Sequence, residues 1–471
     1  MRVVGGERPV RQQLAQGAKD GGFGLKLEDS SRVAVIGGGP AGSFFSYFVL
    51  DMAETVDVDV QVDLYEPRDY TQPGPAGCNN CGGIVSESLV QLLATEGINL
   101  PDTVVQRGLD SYVLHTAEDL EVHIGTPLQE KRIAAVHRGA GPRDLKEAKW
   151  RSFDGYLQEL AAGKGANVVR KRVATVSRQD GQLVVTTRDA ASGAYDLVVV
   201  AVGVNTTALK MFRDLELRYK PPKTSKTYIC EFLLGQESVA EHLGNSMHIF
   251  LLDLPRLKFS AMIPKGDYVT LCLLGDDIDG PLVQSFLGSP QVNRCLPSDW
   301  EKPKDFCHCS PRINVHAAVE PFADRIVFIG DSGVTRLYKD GIGAAYRTAK
   351  AAARTAIFRG ISAEDFRRHY WPTCRRLHHD NTLGHLIFLV TRVIQKVGLT
   401  RRGLVRMVRC EQRKDSARPR MSMVLWDMFT GSAPYKDIFR RTLGPAFLAR
   451  FLWNSVVAGF STFPGKGGKL S

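Results

Sequence analysis

Three glycines at the spacing of a phosphate-binding turn are the clearest chemical feature of the sequence. They are Gly37, Gly39 and Gly42, with Pro40 and Ala41 between the last two. Glycines at this spacing let the backbone approach a pyrophosphate closely, and the free N–H groups of a following helix attract its negative charge. We therefore predict that all five residues contact a bound dinucleotide.

The residues around this turn predict the strand and helix that such a site needs. Val33–Ile36 is a β-branched apolar run. Residues 33–50 carry no charge and reach the lower length limit of a membrane span, but the glycines and Pro40 favour a strand followed by a helix. A second, alternating strand ends at Glu66, whose carboxylate we expect to accept hydrogen bonds from a ribose diol.

A second segment, far along the chain, indicates which dinucleotide would bind. An apolar strand ends at Gly330-Asp331, and Gly341, Ile342 and Gly343 precede an Ala-rich helix. An Asp at a strand end can bond to the ribityl chain or pyrophosphate of FAD, and the helix start can stabilise negative charge on a reduced flavin ring. A simple NAD dehydrogenase needs no such second site, so we predict that these five residues bind FAD.

Length and pattern predict an α/β fold with more than one domain, because single cores rarely grow beyond about 300 residues. We expect a discontinuous Rossmann-type FAD-binding domain, a mixed β-sheet substrate domain and a helical C-terminal region. The predicted parts are a flexible leader (1–30), the first FAD-binding part (31–205, with inserted substrate-domain strands near 107–140), the β-rich substrate domain (206–320), the second FAD-binding part (321–381) and the basic helical region (382–471).

Cys78 and Cys81 form a CxxC pair shortly after the second predicted strand and before a predicted helix. A helix start lowers a thiol pKa. Three interpretations are open: Cys81 lines the flavin and substrate site, the two thiols act as a redox relay, or both pack inertly beside turn-forming glycines. A zinc site would need a second pair, which Cys307 and Cys309 would supply only if the fold happened to bring them close.

Two isolated cations are further candidates. Arg138 suits a cofactor phosphate, because a guanidinium binds two oxygens at once, but a surface arginine before a glycine-rich turn is an equal alternative. Lys265 ends a strand-like run, where it either borders the substrate pocket or has a structural role.

The net charge of +11 is confined to one part of the chain. Residues 382–471 contain 16 Lys and Arg against 4 Asp and Glu. An apolar stripe at helical spacing runs through the start of this region, at Leu383, Ile387, Val390, Ile394 and Val397. Basic charge beside apolar residues favours an anionic membrane surface over nucleic acid. We expect peripheral attachment, with a helical cap on the protein's own core or a partner as the alternative.

The remaining composition favours a cytoplasmic location. The first thirty residues lack the apolar core of a signal peptide. The nine cysteines are odd in number and unevenly spread, which is not typical of a secreted disulfide framework.

With these residues in place, the chain resembles the geranylgeranyl reductase family, within the flavoproteins built like p-hydroxybenzoate hydroxylase. Four segments account for the resemblance: residues 33–43, 81–84, 151–166 and 329–346. It implies FAD, a mixed β-sheet substrate domain and reduction of prenyl double bonds, or redox exchange with a lipid or quinone. It places dinucleotide contacts on Gly37, Gly39, Gly42, Glu66, Asp331 and Gly343, and a cysteine near the flavin on Cys81. Where the family tends to have Pro and Gly-Glu-Gly before the flavin helix, residues 337–341 here read Leu-Tyr-Lys-Asp-Gly.

The expected function is therefore FAD-dependent reduction of a hydrophobic isoprenoid-type or quinone substrate at a membrane surface. No second strand-linked GxGxxG is present, so electrons would come from transiently bound NAD(P)H or from a carrier protein. The alternatives are a flavin monooxygenase or halogenase, and a quinone-linked electron-transfer subunit.

Overall fold

The strand, turn and helix predicted near the start of the chain are all present. The computed structural model describes residues 25–74, 81–126, 133–142, 145, 150–301, 307–413 and 420–460. In chain order, the strands are β1 (Ser31–Ile36), β2 (Val60–Tyr65), β3 (Ile84–Val85), β4 (Val105–Leu109), β5 (Ser111–Thr116), β6 (Glu121–Gly125), β7 (Ile133–Val136), β8 (Asn167–Val169), β9 (Val173–Gln179), β10 (Gln182–Thr187), β11 (Ser192–Tyr195), β12 (Leu197–Val200), β13 (Thr224–Lys226), β14 (Tyr228–Leu233), β15 (Ser246–Leu251), β16 (Leu257–Lys265), β17 (Tyr268–Gly275), β18 (Cys307–Cys309), β19 (Arg312–Asn314), β20 (Phe322–Ala323) and β21 (Ile326–Phe328).

The helices alternate with these strands in the first part of the chain and follow one another in the last. In chain order, they are α1 (Pro40–Val56), α2 (Glu87–Thr95), α3 (Phe153–Gly163), α4 (Gln236–His242), α5 (Gly280–Leu287), α6 (Pro290–Asn293), α7 (Gly341–Phe358), α8 (Ala363–Asp365), α9 (Trp371–Lys396), α10 (Gly398–Arg413), α11 (Arg420–Thr430), α12 (Tyr435–Thr442) and α13 (Pro445–Phe460).

A six-stranded sheet joins three distant parts of the chain. Its order is β20-β21-β12-β1-β2-β8, and all neighbours are parallel except β20 and β21. The central strands are almost completely buried, as expected for a parallel sheet covered on both faces. Helices α1 and α7 pack against each other on one face, and the antiparallel sheet β9-β10-β11 covers the other. This arrangement confirms the predicted discontinuous Rossmann-type fold.

A seven-stranded mixed sheet forms the second large layer. Its order is β18-β14-β17-β16-β15-β5-β6, and β5 pairs with β15 in parallel while the other neighbours are antiparallel. Strands β5 and β6 lie within the predicted insertion near 107–140. One face of the sheet packs against helices α4, α5 and α6. The opposite face meets the C-terminal helices and leaves part of its surface open.

The C-terminal helices are partly core and partly surface. Helices α10, α11 and α12 contribute buried side chains to the cluster on the seven-stranded sheet, with Trp426 fully buried. The apolar stripe seen in the sequence is only half in the core: Leu383, Ile387 and Ile394 pack partly buried against the same cluster, whereas Val390 is exposed. The buried positions of this helix from residue 381 onward are Asn381, Gly384, Phe388, Thr391 and Gln395.

Several apolar side chains of α9 face outward. Leu389, Val390 and Val393 are more than half exposed. Within the described residues, no single helix is long and apolar enough to span a membrane. One consecutive pair, residues 363–396 and 398–413, meets the length and composition requirement together but bends by 104° at the break.

Candidate cofactor and substrate site

A cleft of about 1300 Å³ extends from the glycine turn to the open face of the seven-stranded sheet. One end is lined by the carboxyl ends of β1, β2 and β12, which is where open α/β sheets bind their ligands. The other end is lined by apolar side chains of β14, β15, β16 and β17.

The glycine turn at the first end allows contacts that a side chain would prevent. Gly37 has a φ of +105°, and a Cβ at this position would lie 2.5 Å from the carbonyl oxygen of Ala201. A Cβ on Gly42 would lie 1.9 Å from the carbonyl oxygen of Gly37. Gly39 is the N-cap of α1, and no side chain caps this helix. The helix start therefore faces the cleft with backbone N–H groups and an uncompensated dipole.

Glu66 lies at the end of β2, as predicted, and its carboxylate is held by three donors. Oε2 accepts hydrogen bonds from the N–H of Gly38 at 2.9 Å and from the hydroxyl of Tyr70 at 3.2 Å, and Oε1 accepts one from the N–H of Arg68 at 3.0 Å. Glu66 lines the cleft next to the turn. Its carboxylate thus fixes the turn and still faces the space where a ribose would lie.

Arg138 also lies beside the turn rather than on the outer surface. Its guanidinium donates two hydrogen bonds to the buried carboxylate of Asp154, from Nε at 2.9 Å and from Nη2 at 2.6 Å. Nη2 is 3.6 Å from the position that a Cβ on Gly39 would take. Because a bidentate pair fixes the orientation of the guanidinium, Arg138 presents its charge to the phosphate end of the cleft.

The second predicted segment closes the middle of the cleft. Asp331 lines the cleft, and burial of its carboxyl raises the pKa of that group. Gly341 and Ile342 form the start of α7 and line the same space. A Cβ on Gly343 would lie 2.0 Å from Oδ1 of Asp340, so a side chain there would displace the residue that begins the helix.

The predicted cofactor residues therefore divide into two groups. Those that line the cleft are Gly37, Gly39, Pro40, Ala41, Glu66, Arg138, Asp331, Gly341 and Ile342. Those that allow close backbone packing behind it are Gly42, Gly330 and Gly343. Sequence reasoning also missed Arg336, which lines the cleft and pairs with Asp340 at 2.8 Å.

Cys81 lies in the cleft wall at the junction between the two ends, and Cys78 lies outside the described residues. The N–H of Gly83 donates to Sγ of Cys81 at 3.5 Å. The carbonyl oxygen of Cys81 accepts a hydrogen bond from Nζ of Lys265 at 3.2 Å. Backbone hydrogen bonds thus hold Cys81 in place. Its side chain lies in the part of the cleft between the cofactor end and the apolar end.

A buried ionic cluster lies behind Cys81. Sequence reasoning did not predict that its members come together. Nζ of Lys265 lies 3.3 Å from Oε1 of Glu231, and the same oxygen lies 3.4 Å from Nδ1 of His137 and accepts from the hydroxyl of Thr270 at 2.8 Å. Lys265 and Glu231 are 1% and 4% exposed. Burial raises the pKa of Glu231, but Lys265 and His137 outweigh burial and hold that pKa below its usual range. Lys265 therefore has a structural role behind the pocket.

The apolar end is built from side chains that occupy one face of the sheet. Ile229, Cys272, Ala261 and Ile249 are consecutive partners across β14, β17, β16 and β15 and form a row along the wall. Residues two positions away on the same strands widen this wall: Met247, Phe259, Ile263 and Leu274. The wall carries no charged side chain, so it suits an extended hydrophobic ligand.

The C-terminal region completes the cleft, a contribution that sequence reasoning did not predict. Phe429 and Thr430, at the end of α11, line it together with Tyr338. Nζ of Lys339 donates to the carbonyl oxygens of Asp427 at 2.9 Å and Ala433 at 3.0 Å. The segment before α7 and the C-terminal helices are therefore tied together beside the site.

No protein-family model and no curated protein matches this sequence. Solved structures do match the fold. A flavoprotein/dehydrogenase from Cytophaga hutchinsonii is 14% identical, with a TM-score of 0.60 over 91% of this chain and 100% of its own. The flavin-dependent brominase Bmp2 is 14% identical, with a TM-score of 0.56 over 92% of this chain and 99% of its own. Halogenase PltM, in complex with phloroglucinol and FAD, is 11% identical, with a TM-score of 0.57 over 91% of each chain. The chain therefore has the fold of flavin-dependent oxidoreductases.

Proposed function

We propose that the protein is an FAD-dependent reductase that acts on a hydrophobic isoprenoid or quinone substrate. The single observation that supports this best is the charge-free wall of the seven-stranded sheet, which continues from the cofactor end of the same cleft. When bound, FAD would supply the hydride chemistry, and the protein would supply binding, orientation and a dry pocket.

The residues of the first end fit this cofactor. The uncapped start of α1 and the guanidinium of Arg138 face the same space and would bind the two phosphates. Asp331 would accept hydrogen bonds from the ribityl hydroxyls, and Glu66 from the adenosine ribose. Because the close contacts at Gly37 and Gly42 leave no room for side chains, the backbone itself would form the phosphate cradle.

The residues at the junction would orient the substrate and hold a proton. Burial raises the pKa of Tyr338, so its hydroxyl donates hydrogen bonds at neutral pH but does not readily release its proton. Its ring packs against Phe259, a residue of the apolar wall, with 6.5 Å between ring centroids. The Tyr338 hydroxyl is therefore our choice for the group that would donate a hydrogen bond to a quinone oxygen, while the apolar row excludes water around it.

The test measures which oxidant reoxidises the reduced holoenzyme. The protein is loaded with FAD, photoreduced without oxygen and mixed with a prenylated quinone or with the same quinone lacking its tail. We expect the prenyl tail to accelerate flavin reoxidation at least about tenfold, because only the prenylated quinone has an apolar group that can bind against the wall. Equal rates with both quinones would contradict the proposed substrate class. A polyprenyl diphosphate in a parallel assay reports double-bond reduction as a gain of two hydrogens in its mass.

Oxygen activation is the second candidate, because two of the structures similar in fold are described as a brominase and a halogenase. The same photoreduced enzyme is mixed with oxygen, bromide and a phenol. A brominated phenol formed at a rate above that of free reduced FAD would favour halogenation over our proposal.

Turnover of any substrate by the isolated chain would argue against a pure electron-transfer subunit. The electron donor, NAD(P)H or a carrier protein, stays a prediction.

We also propose that the enzyme binds an anionic membrane surface, where such substrates dissolve. On α9 Leu389, Val390 and Val393 are more than half exposed although Thr391 and Gln395 are buried, so part of the apolar side of this helix faces solvent. Leu452 and Trp453 on α13 are 63% and 69% exposed. Exposed basic residues lie on these two helices, at Arg392 and Lys396 on α9 and at Arg450 on α13. Apolar side chains next to basic ones are typical of interfacial helices.

Vesicle sedimentation tests this attachment with a matched control. We expect the protein to sediment with anionic vesicles, and the double variant Leu389→Ser with Val393→Ser to bind at least about tenfold more weakly. The control is Leu233→Ser, because Leu233 is 53% exposed but lies on the seven-stranded sheet. Absence of vesicle binding by the unchanged protein, or equal loss in the control, would contradict membrane attachment and leave a protein partner as the occupant of this face.

A further inference from the structure

Two histidines and one cysteine meet at a place that the cleft does not reach. His115 lies on β5, His248 lies on the neighbouring strand β15, and Cys295 follows helix α6. Nε2 of His115 is 2.9 Å from Nδ1 of His248. Sγ of Cys295 is 3.6 Å from the first nitrogen and 3.3 Å from the second. None of the three residues lines the cleft, and the proposed function does not use them.

The three side chains are enclosed by the protein. His115, His248 and Cys295 are 3%, 6% and 2% exposed. The ring of Phe250 stacks on His115, with 4.7 Å between centroids. Burial lowers the pKa of His115 to about 3 and that of His248 to about 4, so both rings are neutral at pH 7. A neutral imidazole has one N–H and one lone pair, which is the form that binds metal ions.

The hydrogen bonding of the two rings depends on which nitrogen of His115 carries the proton. Nδ1 of His115 is 3.5 Å from Oε2 of Glu121, and it has no hydrogen-bond partner within the described residues. If Nε2 of His115 donates to His248, Nδ1 presents a lone pair to that carboxylate, which is repulsive. If Nδ1 instead carries the proton and turns it toward Glu121, Nε2 presents a lone pair, and a hydrogen bond between the rings must be donated by Nδ1 of His248. A hydrogen bond donated by His115 to His248 therefore leaves the outer nitrogen of His115 unsatisfied.

We propose that Nε2 of His115, Nδ1 of His248 and Sγ of Cys295 bind one Zn²⁺ ion. Tetrahedral zinc, with bonds of about 2.0 Å to nitrogen and about 2.3 Å to sulfur, separates two nitrogens by about 3.3 Å and nitrogen from sulfur by about 3.6 Å. The three observed separations lie within about half an ångström of these values. Cys295 would bind as the thiolate and release its proton to solvent when zinc enters.

The same arrangement provides the supports that zinc ligands usually have. With the metal on Nε2, the proton of His115 lies on Nδ1 and faces Glu121, so the atom without a partner gains one. His248 also bonds to the backbone carbonyl of Leu243. Two imidazoles and a thiolate favour zinc over magnesium or calcium, which prefer oxygen ligands. Three protein ligands leave a fourth position for water.

A zinc ion at this place would tie together parts of the chain that are distant in sequence. His115 and Cys295 are separated by 180 positions. The ion would link β5, β15 and the segment after α6, and so would fix the far side of the sheet whose other face forms the apolar wall. Its role would be structural, because the site does not open into the cleft.

The test uses the full chain, expressed with added zinc and dialysed against metal-free buffer. We expect about one zinc ion per chain by elemental mass spectrometry, and an X-ray absorption spectrum with two nitrogen ligands and one sulfur ligand. Cys295→Ser and His248→Gln should each lower the zinc content at least about fivefold. Cys374→Ser, at a buried thiol elsewhere, should retain all of it.

Two results would overturn the proposal. One is unchanged protein that contains no zinc and does not compete with a colorimetric chelator for added zinc. The other is a Cys295→Ser variant that keeps the full zinc content. Circular dichroism and bound flavin are measured on each variant, so that metal loss through misfolding is separated from loss of a ligand. A chelator that lowers the unfolding temperature of the unchanged protein, but not that of folded Cys295→Ser, would support the structural role.

Discussion

The two ends of the cleft are built in different ways. The cofactor end consists mainly of backbone, with a short glycine turn, two helix starts and glycines whose missing side chains permit contact, and with the side chains of Glu66, Arg138 and Asp331 beside them. The apolar end consists of side chains from four strands, together with Phe429 from a distant helix. A site made of backbone tolerates few substitutions and suits one ligand, whereas a site made of side chains can change its ligand residue by residue. The comparison suggests that the two ends can be disrupted independently.

The largest effect should follow from Gly42→Val. A Cβ here would lie 1.9 Å from the carbonyl oxygen of Gly37, so the turn or the helix must move. We expect complete loss of FAD binding, measured as absent flavin absorbance after incubation with excess FAD. The matched control is Gly163→Ala, because a Cβ at that position meets nothing within 4 Å. Flavin bound normally by Gly42→Val would show that the phosphate cradle lies elsewhere.

The second effect should follow from Lys265→Met, which removes one partner of the buried cluster beneath Cys81. Breaking a buried ion pair costs about 3 to 5 kcal/mol because the remaining charge stays buried without compensation. We expect a loss of that size in the free energy of unfolding, measured with urea. Lys258→Met removes a more exposed pair with Asp276 and should cost less than about 1 kcal/mol. Similar losses of unfolding free energy in both variants would show that the buried pair of Lys265 and Glu231 stabilises the fold no more than the exposed pair of Lys258 and Asp276.

The third prediction concerns the apolar end alone. Ala261→Phe places a ring in the centre of the wall, between Ile249 and Cys272. We expect normal FAD content but at least about a tenfold rise in KM for a prenylated substrate, because the tail loses its space. A rise in KM together with loss of flavin would show that the two ends are not independent. An unchanged KM would show that the tail of the substrate does not bind against this wall.

The fourth prediction is a pH dependence centred on Lys339. Burial lowers the pKa of this ammonium to about 7, against about 10.4 in an unfolded chain. Between these values the unfolded state binds more protons, so stability should rise with pH by at most about 1.4 kcal/mol per unit. Urea titrations at pH 7, 8 and 9 should show a smaller slope for Lys339→Met. An identical slope in both proteins would indicate that Lys339 titrates normally.

The smallest effect separates the interpretations of the cysteine pair. If Cys81 only lines the site, Cys81→Ser should change activity by less than about tenfold, and Cys78→Ser should change nothing. If the thiols form a relay, either substitution should abolish turnover equally. Turnover with a prenylated quinone measures both. Equal, complete loss in the two variants would replace the first interpretation by the second.

The backbone end of the cleft was predictable from the sequence because its determinants are contiguous. The spacing of Gly37, Gly39 and Gly42 specifies a local conformation, and Glu66 follows at the end of the next strand. The fold class followed from the same alternation of strands and helices, and the structure confirms it.

The side-chain end was not predictable in the same way. The row of Ile229, Cys272, Ala261 and Ile249 depends on the register of four strands, which no local pattern specifies. His115 and His248 are 133 positions apart and show no spacing that would pair them. The apolar stripe on α9 indicated a helix but not which of its side chains are buried, because the neighbouring elements decide which face packs.

The most direct test is to identify the cofactor that the unchanged protein carries. The purified chain is denatured and the released compound is identified by chromatography and mass, with its amount compared with that of protein. We expect about one FAD per chain, released without covalent attachment. Protein that is folded but colourless, and that binds no FAD when FAD is added in excess, would contradict the central claim.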